Sequence, residues 1–268
     1  MTKDTRAAVA GVLVAIGITS AMDATGYSQF SALPLAPLLA IFAYLQRQPR
    51  RALGFVWGRG RDYGLAILYP IVVLGVLTLI ARLSNVIDVS HTNWNKALIN
   101  LVLVSISNTL VVIITEEGFF RGWFWASLER GGIKLSTVWI WSSIAFAAWH
   151  WSAISLKTGF DVPARQIPLF LINAAVMGAE WGLLRWISGS VVVSSMSHGV
   201  WNAFAYVLFG FGTRIGALGI KQTAVYGPEV GIVGLVLNIV FVIGLWSWWR
   251  SQIANRPQPE AESHVTGA

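Results

Sequence analysis

Apolar runs close to the length of a bilayer core recur along this chain, and nothing else in the sequence restricts its fold so strongly. Spans are expected at residues 7–22, 30–45, 64–83, 106–128, 135–154, 167–187, 190–211 and 230–249. A helix needs roughly 20 residues to cross the hydrocarbon. The first two runs are short, and Pro34 and Pro37 interrupt the second. With 55% hydrophobic and 12% charged residues and a mean hydropathy of +0.63, the chain is expected to fold as an all-α, polytopic transmembrane helix bundle of about eight spans. Lys3 and Arg6 before an apolar run also fit a secretory signal, but the run ends in "SAMDATGYS" without a small-x-small cleavage site, so an uncleaved first helix is expected.

Charge sets the orientation. The net charge of +7 would favour nucleic-acid binding in a soluble domain, but here the basic residues fall mostly in short connections, so no nucleic-acid partner is expected. One set of connections holds only Arg82, Lys96, Lys157, Arg165, Arg214 and Lys221, six residues; the other set, with both termini, holds the remaining 13 of the 19. Both termini are therefore expected in the cytoplasm, consistent with an even number of spans. Residues 1–249 read as one transmembrane domain, and the polar, Pro-containing residues 250–268 as a disordered cytoplasmic tail. A composition rich in arginine and tryptophan and poor in lysine points to a prokaryotic inner membrane. With no cysteine in the chain, thiolate nucleophiles and cysteine metal sites are excluded, so chemistry must come from oxygen and imidazole.

A charge in hydrocarbon costs several kcal/mol and is usually there for function, so the few ionisable residues inside the spans carry the information. They are Glu116, Glu117 and Arg121 in "TEEGFFRGW", His150, Glu180 with Arg185, and His198, which is followed by Asn202. Glu117 and Arg121 are four apart and share a helix face, where they can neutralise one another; Glu116 points about 100° away and is left available. Phe146 and His150, and His198 and Asn202, repeat the spacing of four. If the fourth helix runs on to Leu128, a rise of 1.5 Å per residue sets Glu116 ~18 Å deep, His198 ~12 Å and Asn202 ~18 Å, so these groups converge near mid-membrane. Glu180 lies five residues from Arg185, poorly placed to pair with it, and reads as a polar cavity lining. The 14 tryptophans read mostly as interfacial anchors or core fillers.

In order on three helices, Glu-Glu-x-x-x-Arg (Glu116, Glu117, Arg121), Phe-x-x-x-His (Phe146, His150) and His-x-x-x-Asn (His198, Asn202) resemble the motifs of the CAAX prenyl protease and bacteriocin-processing (CPBP, or ABI) family of intramembrane proteases. The similarity covers roughly residues 100–210, and Gly189 and Ser190 ahead of the third motif also fit. The resemblance implies that Glu116 acts with His150 to activate a water for attack on a peptide carbonyl. It further implies that His198 and Asn202 stabilise the oxyanion, and that Glu117 and Arg121 support the site. Phe146 reads as a wall of the cavity. The implied activity is an intramembrane endopeptidase acting on a membrane-associated, CAAX-type prenylated or otherwise membrane-inserted peptide, with membrane lipid as its other partner and no cofactor.

Two alternatives stand beside this reading. Glu116, His150 and His198 also make a two-histidine, one-carboxylate set for zinc, although no His-Glu-x-x-His helix is present and no carboxylate is evident to orient either histidine. A non-catalytic scaffold, an immunity-type binding protein or a transporter with a proton relay through the same groups is the other.

Overall fold

The structure, a computed structural model, describes residues 1–254, and these are helical almost throughout. Thr2 caps α1 (Lys3–Ala24) by accepting the Thr5 N–H. In α2 (Leu35–Leu45), Pro34 and Pro37 sit at the cap and in the first turn, where no intrahelical N–H is needed. Asp62 accepts the Arg59 N–H at 2.9 Å at the start of α3 (Gly60–Leu83). Asn93 likewise starts α4 (Trp94–Ile114), accepting the Lys96 N–H at 3.0 Å. At Thr115 the backbone leaves the helix (φ −104°, ψ −101°), and beyond it a π-helical turn over Gly118–Phe124 runs into α5 (Trp125–Arg130).

The helices α6 (Leu135–Trp149), α7 (Trp151–Ser155) and α8 (Ile167–Ser188) follow. Gly189 closes α8 in the left-handed region at φ +71°, a conformation that glycine adopts without steric cost. Ser190 then caps α9 (Val191–Phe204) by accepting the Val192 N–H at 3.1 Å, and its hydroxyl donates to the Val56 carbonyl. The Gly-Ser pair thus turns the chain back between two packed helices in two residues. A second π-helical turn, Ala205–Phe209, leads to β1 (Gly210–Phe211) and β2 (Arg214–Ile215), antiparallel with Gly210 opposite Ile215. Short α10 (Thr223–Tyr226) and long α11 (Ile232–Ala254) complete the described chain.

Among the described residues, five stretches are long and apolar enough to cross a membrane: Lys3–Ala24, Gly60–Leu83, Trp94–Arg130, Ala164–Ser188 and Ile232–Ala254. The protein is an all-α transmembrane bundle, but its elements depart from the expected spans in five places, one of them the seventh, 190–211, where α9 and its π-turn give way to β1. The second span shrinks to the 11 residues of α2, because the chain spends residues 25–34 on turns ahead of its prolines. The fourth begins at Trp94 rather than near 106, because the Asn93 cap and not the polar Asn95 and Lys96 sets the helix start. The expected fifth span breaks at His150 into α6 and α7. Finally, α11 runs through Arg250 to Ala254, into the expected tail; the rest of that tail, residues 255–268, lies outside the described residues.

Contacts order the two ends of the bundle. Asp4 meets Arg130 at 3.6 Å, Arg185 donates to the Ala52 carbonyl, and Trp186 packs on Trp249, gathering the start of α1 with the ends of α5, α8 and α11. At the opposite end Ser28 donates to the Thr158 carbonyl and the Asp88 N–H to the Leu218 carbonyl. Outward faces are apolar, as lipid requires: Leu98, Val102, Leu103, Ile106 and Leu110 of α4 are all more than half exposed. The interior instead holds Trp123, Trp125, Trp181 and Trp201, each buried, so at least these four tryptophans are core and not interfacial anchors. Helices α4 and α9 approach through a small residue, a packing mode typical of membrane bundles. A Cβ on Gly199 would stand 2.5 Å from the Thr109 nitrogen and 2.7 Å from its Cα. That closeness carries His198 to the carboxylates of the Glu-Glu pair.

Candidate active site

The break at Thr115 and the π-helical turn set the first motif in place. A π-turn widens the helix and frees backbone carbonyls from their usual i+4 partners, a cost in hydrocarbon unless another donor is found. Neighbouring helices supply the donors: Ser142 Oγ donates to the Phe120 carbonyl at 3.1 Å and Arg185 Nε to the Arg121 carbonyl at 3.1 Å. Arg185 is therefore occupied by backbone carbonyls, as its poor spacing from Glu180 implied. Glu180 is fully buried, both its oxygens lack a partner among the described residues, and it does not line the cavity, contrary to expectation.

Glu117 and Arg121 pair as their spacing predicts, with Nη1 donating to Oε1 at 3.1 Å and neither side chain exposed. Arg121 is held further by Nη2 donating to the Gly178 carbonyl at 2.9 Å and by the Phe146 ring, 4.3 Å from its Cζ. The sequence did not reveal the third partner. His198 Nδ1 donates to the same Glu117 oxygen at 3.0 Å, so a carboxylate does orient one of the two histidines. This contact joins residues 81 positions apart, beyond the reach of any periodicity within one helix.

His150 stands at the junction of α6 and α7, and its Nδ1 lies 2.9 Å from the Phe146 carbonyl. A carbonyl oxygen only accepts, so Nδ1 carries the hydrogen. Both imidazoles are thus fixed with Nδ1 as the donor, and in the neutral ring Nε2 presents a lone pair. Those two Nε2 atoms converge on one oxygen: each lies 3.9 Å from Glu116 Oε2. That distance is too long for a direct hydrogen bond and short enough for a single water molecule to touch both groups. His198 is stacked on Trp181 at 3.7 Å and 11°, which locks the plane of its ring, and Phe146 packs edge-on to it at 6.0 Å.

Glu116, His150, His198, Asn202 and Phe146 all line one cavity of about 750 Å³. Asn202 Nδ2 donates to Asn108 Oδ1 at 3.3 Å; Asn108, in α4, also lines the cavity and was not singled out in the sequence because a lone amide in a span carries no charge signal. Two further carboxylates line it, Asp23 at the end of α1 and Glu229 ahead of α11. The first was passed over inside an apparently ordinary helix end, and the second because the expected span began one residue after it. Scarcity of acid, 12 residues in 268, is the signal that would have found both. The cavity reaches Ser28, Thr158 and Arg214, at the bundle end opposite the start of α1. Among the described residues no group of three His, Asp or Glu side chains is arranged to hold a metal ion.

No curated protein matches the chain with significant similarity. Residues 98–204, however, match a family described as type II CAAX prenyl endopeptidase Rce1-like. The matched segment opens in α4, closes at the last residue of α9, and carries all three motifs that converge on the cavity. Over that segment the chain is similar to the CAAX prenyl endopeptidase family that its three motifs resemble.

Proposed function

We propose that the protein is an intramembrane endopeptidase in which Glu116, assisted by His150, activates a water for attack on a peptide carbonyl. The observation that carries this reading is the equal 3.9 Å separation of Glu116 Oε2 from both imidazole Nε2 atoms at the wall of a large cavity. Water bound there donates to the carboxylate and to the His150 lone pair. Its oxygen adds to the carbonyl carbon while Glu116 takes the proton; the tetrahedral intermediate then collapses, the C–N bond breaks, and the amine leaves with that proton.

The oxyanion needs donors. Asn202 Nδ2 has one hydrogen engaged by Asn108 and a second to offer. His198 has its Nδ1 hydrogen committed to Glu117, so Nε2 donates to the oxyanion only as an imidazolium. Glu117 thus supports the reaction through His198, and Arg121 holds Glu117 in place. The reaction so drawn needs no metal; full activity of chelator-washed protein without stoichiometric metal would set the zinc alternative aside, and dependence on stoichiometric zinc would replace this mechanism.

The substrate class we infer is a peptide held at the membrane, either a lipidated carboxy-terminal tail or a membrane-inserted segment, in a prokaryotic inner membrane. The cavity is large enough for several residues of extended chain and is lined by the buried aromatic side chains of Phe146, Trp149 and Trp181. Comparing membrane peptides from cells carrying the wild-type chain and the Glu116→Gln variant tests this. Peptides that accumulate uncut in the variant identify the substrate; identical peptide populations would contradict the reading.

A further inference from the structure

Three carboxylates, Asp23, Glu116 and Glu229, line the cavity, while Arg214 is the one lysine or arginine lining it among the described residues. This reverses the balance of a chain with net charge +7. Arg214 does not neutralise them: it is exposed on β2, stacked over Phe211 at 5.1 Å, and makes none of the described ion pairs. The proposed water-activating step uses neither Asp23 nor Glu229.

Both are nonetheless held with care. Glu229 is 7% exposed, and Trp201 Nε1 donates to its Oε1 at 3.1 Å. The adjoining backbone is pinned by Asn173 Nδ2, which donates to the Pro228 carbonyl at 2.8 Å and the Glu229 carbonyl at 3.0 Å. Asn238 Nδ2 donates to Asn173 Oδ1, Tyr69 Oη donates to Asn238 Oδ1, and the Tyr69 ring stacks on Trp201 at 5.0 Å, closing a ring of contacts through α3, α8, α9 and α11. Asp23 is 2% exposed; its Oδ2 accepts from Ser152 Oγ at 2.7 Å, and its Oδ1 has no partner among the described residues. A buried carboxylate without a basic partner costs stability that a leucine would not, so two of them lining one cavity call for a ligand that supplies the missing charge. Burial also pushes the Glu229 carboxyl up to about 7, so an arriving cation would draw its proton off near neutral pH.

We propose that Glu229, together with Asp23, forms a cation subsite of the cavity that takes a basic side chain of the bound peptide. It deepens the protease reading by naming the substrate's chemistry, but peptide binding tests it separately from cleavage. In a Glu116→Gln background reconstituted in nanodiscs, a fluorescent peptide series carries lysine at successive positions, each matched by a norleucine peptide of equal length. The lysine peptide should bind about tenfold tighter at one position, a factor equivalent to about 1.4 kcal/mol. Glu229→Gln, which keeps an acceptor for Trp201, should reduce the preference to within twofold at an unchanged melting midpoint, and Asp23→Asn should weaken it; should Glu229→Gln fail to fold, Asp23→Asn decides. Absence of a lysine preference, or its survival in the variants that fold, overturns the subsite. If lysine-dependent binding holds while wild-type protein cleaves none of the series, the protease reading fails and the subsite stands.

Discussion

Adjacent glutamates in "TEEGFFRGW" are expected to fail in different ways when changed. Glu116 faces the cavity and has no ion-pair partner in direct hydrogen-bond contact, so Glu116→Gln should leave stability near wild type and remove activity. Glu117 neutralises a fully buried guanidinium and orients His198; Glu117→Gln keeps an acceptor for both but removes the charge, leaving an uncompensated buried guanidinium at a cost of about 3–5 kcal/mol. Melting curves beside cleavage rates separate the two; a Glu117→Gln protein as stable as wild type would contradict the assigned network. Asn202→Ala removes a proposed oxyanion donor and should lower the rate about 10²- to 10³-fold with little change in substrate affinity, read from kcat and KM. At this scale the sequence disclosed most of the ionisable groups that the fold brings together at the candidate site, because charge is so scarce that each intramembrane ionisable group stands out. What it did not disclose was the pairing of His198 with Glu117 and the carboxylates at Asp23 and Glu229, which depend on contacts between distant helices.

Between elements, the decisive contact is the close approach of α4 and α9 at Gly199. A Gly199→Ala side chain would meet the Thr109 backbone at less than contact distance, and overpacking of this kind costs about 1–3 kcal/mol. The helices would part, and the His198–Glu117 hydrogen bond with them, so both melting midpoint and activity should fall. Gly75→Ala on α3, where nothing lies within 4 Å, should be neutral or mildly stabilising in the same assays. Equal behaviour of the two variants would remove close packing as the device that assembles the site. Helix boundaries were the least legible part of the sequence: hydropathy located the cores of α3, α8 and α11, while caps such as Asn93 and the prolines before α2 fixed where helices begin. The π-helical turn at Gly118–Phe124 left no hydropathy signal, since its widened geometry is stabilised by Ser142 and Arg185 from other helices.

Over the whole molecule, the cavity has a direction: it reaches Ser28, Thr158 and Arg214, at the bundle end opposite the start of α1. With the amino terminus cytoplasmic, as the basic residues imply, that end faces away from the cytoplasm. The cysteine-free chain makes a clean test: Gln29→Cys and Arg214→Cys at the cavity end should react with an impermeant maleimide on intact cells, and Arg61→Cys only after lysis. The reverse pattern would invert the molecule and turn the cavity toward the cytoplasm. The central claim, that Glu116 drives hydrolysis inside the membrane, is tested most directly by purified, chelator-washed protein in nanodiscs, with cleavage of a membrane-anchored reporter peptide read by mass spectrometry. Wild-type protein is predicted to cut the reporter, and Glu116→Gln protein, folded with an unchanged melting midpoint, to cut it at least about 10³-fold more slowly. Cleavage by the folded variant at the wild-type rate would contradict the account.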